Sequence, residues 1–118
     1  MHAEKVQKKA ARVGFDWDDA SAVFAKLHEE IFEIEEAVKQ GQTPAIEEEI
    51  GDLLFTVVNF ARKMKIDSEI SLRQSNGKFT RRFKKLETIL NERGQKFQDL
   101  DLEALDKIWD EIKAVEKI

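Results

Sequence analysis

The chain contains no cysteine and no tyrosine. Without cysteine, disulfide bridges and thiolate metal sites are excluded. β-Branched runs are few, whereas Glu, Lys, Leu, Ala and Ile abound, and this composition favours helix over sheet. No apolar run approaches the length of a membrane span, and the first residues lack the apolar core of a signal peptide. We therefore expect a cytoplasmic chain that does not contact a membrane.

Low-complexity linkers and internal repeats are also missing, so we expect one domain over residues 1–118. The net charge of −4 argues against a general binder of nucleic-acid polymers. The charge is uneven, with nine acids and one base in residues 29–52, and six bases and two acids in residues 78–93. An acidic metal site facing a basic anion site would give this pattern, but so would two solvated helix faces.

The spacing of apolar residues predicts a string of helices joined by short loops. The first covers about residues 2–13 and a later long one about residues 70–92, and glycines 14, 41 and 94 are expected to end helices. The predicted N-terminal caps are Asp16 or Asp18, Thr43, and Asp99 or Asp101. This pattern is typical of an all-α bundle of four to five helices.

Apolar residues three and four apart predict one buried stripe on each long helix. The predicted stripes are Phe24, Leu27, Ile31, Ile34 and Val38; Ile46, Ile50, Leu53, Leu54, Val57 and Ala61; Phe79, Phe83, Leu86 and Leu90; and Leu102, Leu105, Ile108, Trp109, Ile112 and Val115.

Two groups of carboxylates are the most informative feature of the chain. The first is Glu29, Glu30 and Glu33, and the second is Glu49 and Asp52. Acids three residues apart share a helix face, and each group lies on a polar strip beside an apolar stripe. The strips also carry Lys26, Thr56 and Asn59. A short turn at Gly41 favours antiparallel packing of these two helices, which would bring both strips to one groove.

Convergent carboxylates repel one another unless a cation lies between them. Mg²⁺ is the natural candidate because it binds oxygen ligands, and Mn²⁺ could substitute for it. Acid-rich helix flanks are also commonly solvated, so both interpretations stay open at this point.

A basic strip and two tryptophans complete the set of candidate residues. Lys78, Arg82 and Lys85 follow one side of a helix, where the oxygens of a polyphosphate could bind if the strip is not simply solvated. Trp17 begins a helix, where it could reach the edge of a site or simply pack. Trp109 stands among apolar residues and could pack in the core or stack on a base.

Several segments together resemble the MazG family of all-α nucleoside triphosphate pyrophosphohydrolases, especially the C-terminal MazG domain of its two-domain members. The segments are Ala11–Trp17, Lys26–Glu33, Glu48–Phe55, Val58–Asn59, Asn76–Phe83 and Trp109. The pattern Glu-Glu-x-x-Glu with Glu-x-x-Asp is moderately specific, and the Asn-x-Lys-Phe-x-x-Arg element strengthens it.

The resemblance implies hydrolysis of a nucleoside triphosphate to its monophosphate and pyrophosphate by a homodimer, for the removal of unwanted nucleotides. It implies Mg²⁺ held by Glu30, Glu33, Glu49 and Asp52, with Glu29 in support. Either Glu33 or Glu29 would take a proton from the attacking water. It also implies that Lys26, Asn59, Lys78 and Arg82 contact the triphosphate and that Trp109 lies near the nucleotide.

Two other classes of protein deserve comparison. A ferritin-like di-iron bundle needs Glu-x-x-His, and neither neighbour of His28 at that spacing is an acid, because Ala25 and Ile31 stand there. A helical dimerisation domain without catalysis, part of a longer protein, remains an alternative to the enzyme.

Overall fold

The computed structural model describes residues 2–117, which form five α-helices and one short 3₁₀ segment. They are α1 (His2–Arg12), α2 (Ala20–Gln40), α3 (Thr43–Lys63), α4 (Ser68–Glu92), the 3₁₀ segment (Phe97–Asp99) and α5 (Leu102–Glu116). Within that range there is no strand. The predicted all-α class is therefore confirmed, and α4 begins two residues earlier than expected.

The helices belong to two compact units, Met1–Ser71 and Leu72–Ile118. The first unit contains α1, α2 and α3, and the second contains most of α4, the 3₁₀ segment and α5. No helix in residues 2–117 combines the length and the apolar character needed to cross a bilayer.

The helix ends follow capping chemistry, with two corrections to the predicted caps. Asp19 caps α2, and its carboxylate accepts a hydrogen bond from the Ala22 N–H at 3.1 Å. The prediction of Asp16 or Asp18 as this cap was wrong. Asp16 instead pairs with two basic side chains, which are described below. Gln42 stands at the N-cap of α3, so Thr43 is the first helical residue, while Asp101 caps α5 as expected.

Two glycines shape the connections of the first unit. Gly14 has φ +88°, and backbone bonds from its N–H to Ala11 and from Phe15 to Ala10 close α1 with a Schellman-type turn. Gly41 has φ +67° and ends α2 as predicted. The short connection after Gly41 brings α3 back along α2, since Glu30 and Asp52 lie equally far from Gly41 and meet in space.

Burial in the first unit differs from the predicted stripes. On α2 the buried residues are Val23, Glu30 and Ala37, whereas Phe24, Ile31 and Val38 of the predicted stripe are exposed. On α3 the buried residues are Thr56, Val58, Asn59 and Ala61, whereas Ile50, Leu54 and Val57 are exposed. The stripe prediction was wrong at these positions, because the buried positions include Glu30, Thr56 and Asn59 of the polar strips. Ala61 of the predicted stripe is buried as expected.

The second unit matches its prediction more closely. Its core consists of Leu86, Leu90, Ile108 and Ile112, all between 2% and 6% exposed. Phe79 and Phe83, which were expected to point inward, are 59% and 38% exposed. Leu102 and Val115 of the predicted stripe are also exposed, at 74% and 67%. The phenylalanines pack on other aromatic rings instead, with Phe79 near Trp109 (ring centroids 5.1 Å apart) and Phe83 near Phe97 (5.5 Å).

Candidate metal centre

Three of the predicted metal ligands converge between α2 and α3. Carboxylate oxygens of Glu30, Glu49 and Asp52 all lie within 4.8 Å of one another. The helical hairpin around Gly41 causes this convergence, because it places the two acid-bearing strips side by side. The spacing of acids on each helix thus becomes a three-dimensional cluster.

The environment of these acids fits a bound divalent cation. Glu30 is only 2% exposed. One oxygen of Glu30 and one of Glu49 are buried without any hydrogen-bond partner. Buried carboxylate oxygens without partners are costly, and oxygen is the ligand that hard divalent cations such as Mg²⁺ prefer.

The raised pKa of Glu49 reflects the same crowding of negative charge. Interaction with the Glu33 carboxyl, then burial, then the charges of Glu33 and Asp52 raise the pKa of Glu49 from 4.5 to about 7. The acids therefore cannot all ionise freely at neutral pH without a compensating cation. Glu33 interacts with Glu49 but lies outside the group of three converging oxygens.

The remaining residues of the first acidic segment form an ion-pair cluster. Lys26 Nζ lies 3.0 Å from Glu30 Oε1 and 3.4 Å from Glu29 Oε1. The bond with Glu30 is the main cause of a raised Lys26 pKa, so this side chain stays cationic. Glu29 is exposed and lies beside Lys26 rather than among the converging oxygens.

The first unit also contains a cavity that both Asn59 and Trp17 line. The cavity has a volume of about 420 Å³, and its other lining residues are Val6, Gln7, Ala10, Phe15, Asp16, Phe55 and Arg62. Arg62 donates two hydrogen bonds to the Asp16 carboxylate, at 2.6 and 3.1 Å, and these hold the pKa of Asp16 well below its usual range. Lys63 also pairs with Asp16 and donates to the Trp17 carbonyl, which ties the α1–α2 loop to α3.

Three of the predicted nucleotide-binding residues lie in the second unit, whereas Lys26 and Asn59 lie in the first. Lys78, Arg82 and Trp109 line one cavity of about 570 Å³, whose wall also includes Phe79 and Phe83. Arg82 Nε donates to Glu116 Oε2 at 2.8 Å, and this contact is the first cause of the lowered Glu116 pKa. Lys85, on the same strip, lies 3.5 Å from Glu116 and does not line the cavity.

Sequence reasoning missed three polar residues of these clusters. Gln7 is 5% exposed, but nothing in the pattern of α1 distinguishes it from a surface glutamine. Arg62 stands one helical turn after Asn59, and this spacing could have indicated the Asn59–Arg62 hydrogen bond. Glu116 is a helix-end acid, and its partner Arg82 is far away in the sequence.

Comparison with known proteins links this geometry to a family. Residues 19–87 match the model of the MazG nucleotide pyrophosphohydrolase domain. The chain is 42% identical over 118 residues to the nucleoside triphosphate pyrophosphohydrolase of Escherichia coli (strain K12), covering 98% of this chain and 45% of that protein. It is 40% identical over 111 residues to the nucleoside triphosphate pyrophosphohydrolase/pyrophosphatase MazG of Thermotoga maritima, covering 94% and 42%. The chain therefore spans less than half the length of these curated relatives.

Proposed function

Because the chain belongs to the MazG nucleotide pyrophosphohydrolase domain family, we propose that it hydrolyses nucleoside triphosphates to monophosphate and pyrophosphate. The observation that carries this proposal is the meeting of Glu30, Glu49 and Asp52, where Glu30 and Glu49 each have one buried oxygen without a partner. The activity of the relatives named above points to the same reaction. We further propose that the reaction removes unwanted nucleotides.

Mg²⁺ is the proposed cofactor, with Mn²⁺ as a substitute, and Glu30, Glu49 and Asp52 would hold it with Glu33 beside them. When bound, such an ion neutralises phosphate charge and makes a coordinated water more acidic. Glu33 is the better of the two proposed proton acceptors, because it adjoins Glu49 whereas Glu29 is exposed and paired with Lys26.

The basic side chains would hold the phosphate chain of the substrate. Lys26 is cationic and lies on the acidic cluster itself, so it can contact phosphate oxygens as a point charge. Arg82 and Lys78 would hold the pyrophosphate leaving group and stabilise its charge. Trp109, which adjoins Phe79 in the same cavity, would lie against the nucleotide.

A screen of all ribo- and deoxynucleoside triphosphates with Mg²⁺ tests this proposal, provided that the products are resolved. Monophosphate and pyrophosphate are the expected products, and omission of metal should stop their formation. Formation of diphosphate and free phosphate would contradict the reaction. Absence of any hydrolysis by the chain would favour the dimerisation domain without catalysis.

We also propose a homodimer whose subunits meet through exposed apolar side chains of α2 and α3. Phe32, Val38 and Leu54 are 60%, 56% and 61% exposed, which is unusual for so many large apolar groups on two packed helices. A second copy of the same surface would cover them symmetrically. Light scattering at micromolar concentration should give the mass of a dimer, and a monomer with full activity would contradict the shared interface.

A further inference from the structure

The cavity between α1, the α1–α2 loop and α3 has the properties of a small-molecule site. Its volume of about 420 Å³ lies in the range of pockets that bind drug-sized ligands. Its walls are mostly apolar and include three aromatic side chains, Phe15, Trp17 and Phe55. Two polar side chains in the walls, Gln7 and Asn59, are only 5% and 0% exposed, and each has one polar atom without a partner.

Gln7 presents a hydrogen-bond acceptor whose orientation is fixed. Its Nε2 donates to the backbone carbonyl of Phe55 at 2.8 Å. Turning the amide over would place two oxygens against each other, so the nitrogen must occupy this position. The Oε1 atom is then the free end, and it is buried without a partner.

Asn59 presents a donor, and its orientation is fixed by a chain of charged groups. Its Oδ1 accepts a hydrogen bond of 2.6 Å from Arg62 Nη2. Arg62 is itself held by both oxygens of Asp16. Because Arg62 can only donate, the Asn59 amide cannot turn over, and its Nδ2 remains buried without a partner.

A ligand that suits this cavity offers a flat apolar body, a hydrogen-bond donor for Gln7 and an acceptor for Asn59. A nucleobase fits this description, because each natural base carries such a pair on its Watson–Crick edge and stacks on aromatic rings. Asn59 follows Asp52 by two helical turns of α3, which is about 10 Å along the axis. This separation is comparable to the length of the ribose and phosphate that join a base to the end of a nucleotide that would bind the metal.

We propose that this cavity binds the nucleobase, with Gln7 Oε1 accepting a hydrogen bond from the base and Asn59 Nδ2 donating one to it. The inference rests on the proposed function and adds the residues that would hold the base. Asp16 and Arg62 act as positioning residues, since they hold the Asn59 amide. Trp17, tied down through its carbonyl by Lys63, supplies an aromatic wall.

Calorimetric titration of deoxynucleoside monophosphates and of pyrophosphate, both in Mg²⁺, tests the assignment without requiring turnover. Gln7→Met keeps the length of the side chain and removes its amide. We expect the monophosphate that binds the parent best to bind this variant roughly tenfold more weakly, the effect of a buried partner left unpaired. Pyrophosphate, which has no base, should bind the parent and the variant equally. Gln40→Met, an exposed change at the end of α2, is the matched control and should leave both affinities unchanged.

The parent chain supplies a second test that needs no variant. Benzimidazole riboside monophosphate keeps a flat double ring but lacks the polar edge of adenine, so it should bind roughly tenfold more weakly than AMP. Equal affinity for the two compounds, or equal weakening of monophosphate and pyrophosphate by Gln7→Met, would overturn the base site. Because these are binding measurements, they can fail while hydrolysis succeeds, which separates failure of this inference from failure of the proposed function.

Discussion

Among the described residues, the first unit of the chain buries polar as well as apolar side chains, whereas the second buries apolar ones only. In the first unit Gln7, Glu30, Thr56 and Asn59 are at most 5% exposed. In the second unit the buried side chains of the described residues are Leu86, Leu90, Ile108 and Ile112, all apolar. The first unit therefore contains buried groups that cost stability unless something pairs with them, whereas the second contains a conventional core.

This difference indicates which residues serve the fold and which serve a ligand. Leu90 contributes to stability by leaving water, and any apolar residue of similar shape would do the same. Glu30 and Glu49 keep oxygens without partners next to other acids, an arrangement that packing alone does not favour. Violations of the usual burial rule concentrate where function is proposed.

Removal of one converging carboxylate should have the largest effect on activity. We expect Glu30→Gln and Asp52→Asn each to lower Mg²⁺-dependent hydrolysis by more than about a hundredfold, since residues that only support metal ligands already cost 10–100-fold. The helical content measured by circular dichroism should not change. In chelator both variants should be at least as stable as the parent, because one repelling charge is gone. Turnover at the parental rate in either variant would refute the metal assignment.

Loss of a phosphate contact in the second unit should have an intermediate effect. Arg82→Ala and Lys78→Ala should each cost about 1.5–3 kcal/mol of transition-state stabilisation, measured as kcat/KM. Arg82→Lys should also lose activity, because a point charge does not replace the planar fork. Lys84→Ala is the matched control, since Lys84 lies on the same helix but does not line the cavity.

Glu116→Gln separates a phosphate role of Arg82 from a structural one. The change weakens the Arg82–Glu116 pair but leaves the arginine in place. If Arg82 binds phosphate, Glu116→Gln should retain activity that Arg82→Ala loses. Equal losses in the two variants, or similar kcat/KM for all three alanine variants, would remove the phosphate role from this strip.

A cavity in the apolar core should have the smallest effect on activity and a large one on stability. Leu90 is 2% exposed, so Leu90→Ala should lower the free energy of unfolding by about 2–5 kcal/mol. Below the unfolding transition the variant should hydrolyse substrate almost as the parent does. Urea unfolding and steady-state kinetics on the same preparation check both statements, and a large loss of kcat with unchanged stability would contradict this division of roles.

Much of the fold was predictable because its signals are local. Apolar spacing, Gly41 and Asp101 indicated helices and their ends, and the structure has them there. Burial was less predictable, because Phe24 and Leu54 satisfy the rule for a buried stripe and yet are exposed at 49% and 61%. Helical periodicity shows that a face is apolar but does not show which neighbour, if any, covers it.

The candidate metal centre could be predicted in part for the same reason. Acids three apart on two helices joined by a short turn must lie near one another, and Glu30, Glu49 and Asp52 do. The predicted roles of the other site residues stay predictions. Gln7 and the Asp16–Arg62 pair could not be foreseen, since their contacts join distant positions of the chain and no local pattern encodes them.

The dependence of stability on pH and metal tests most directly whether the acidic cluster holds a cation. Glu49 has its pKa raised from 4.5 to about 7, so the folded chain binds this proton more tightly than the unfolded chain does. Its contribution to stability is therefore present below pH 4.5 and is lost as pH rises through about 7. A bound cation would replace the lost proton and reverse that loss.

The measurement is chemical unfolding of the parent and of Glu49→Gln across this pH range, in chelator and in excess Mg²⁺. In chelator the stability of the parent should fall relative to the variant as pH rises from 4.5 to 7. Above pH 7, Mg²⁺ should stabilise the parent and have little effect on the variant. Parallel pH curves for the two proteins, together with no stabilisation of the parent by Mg²⁺, would contradict the account.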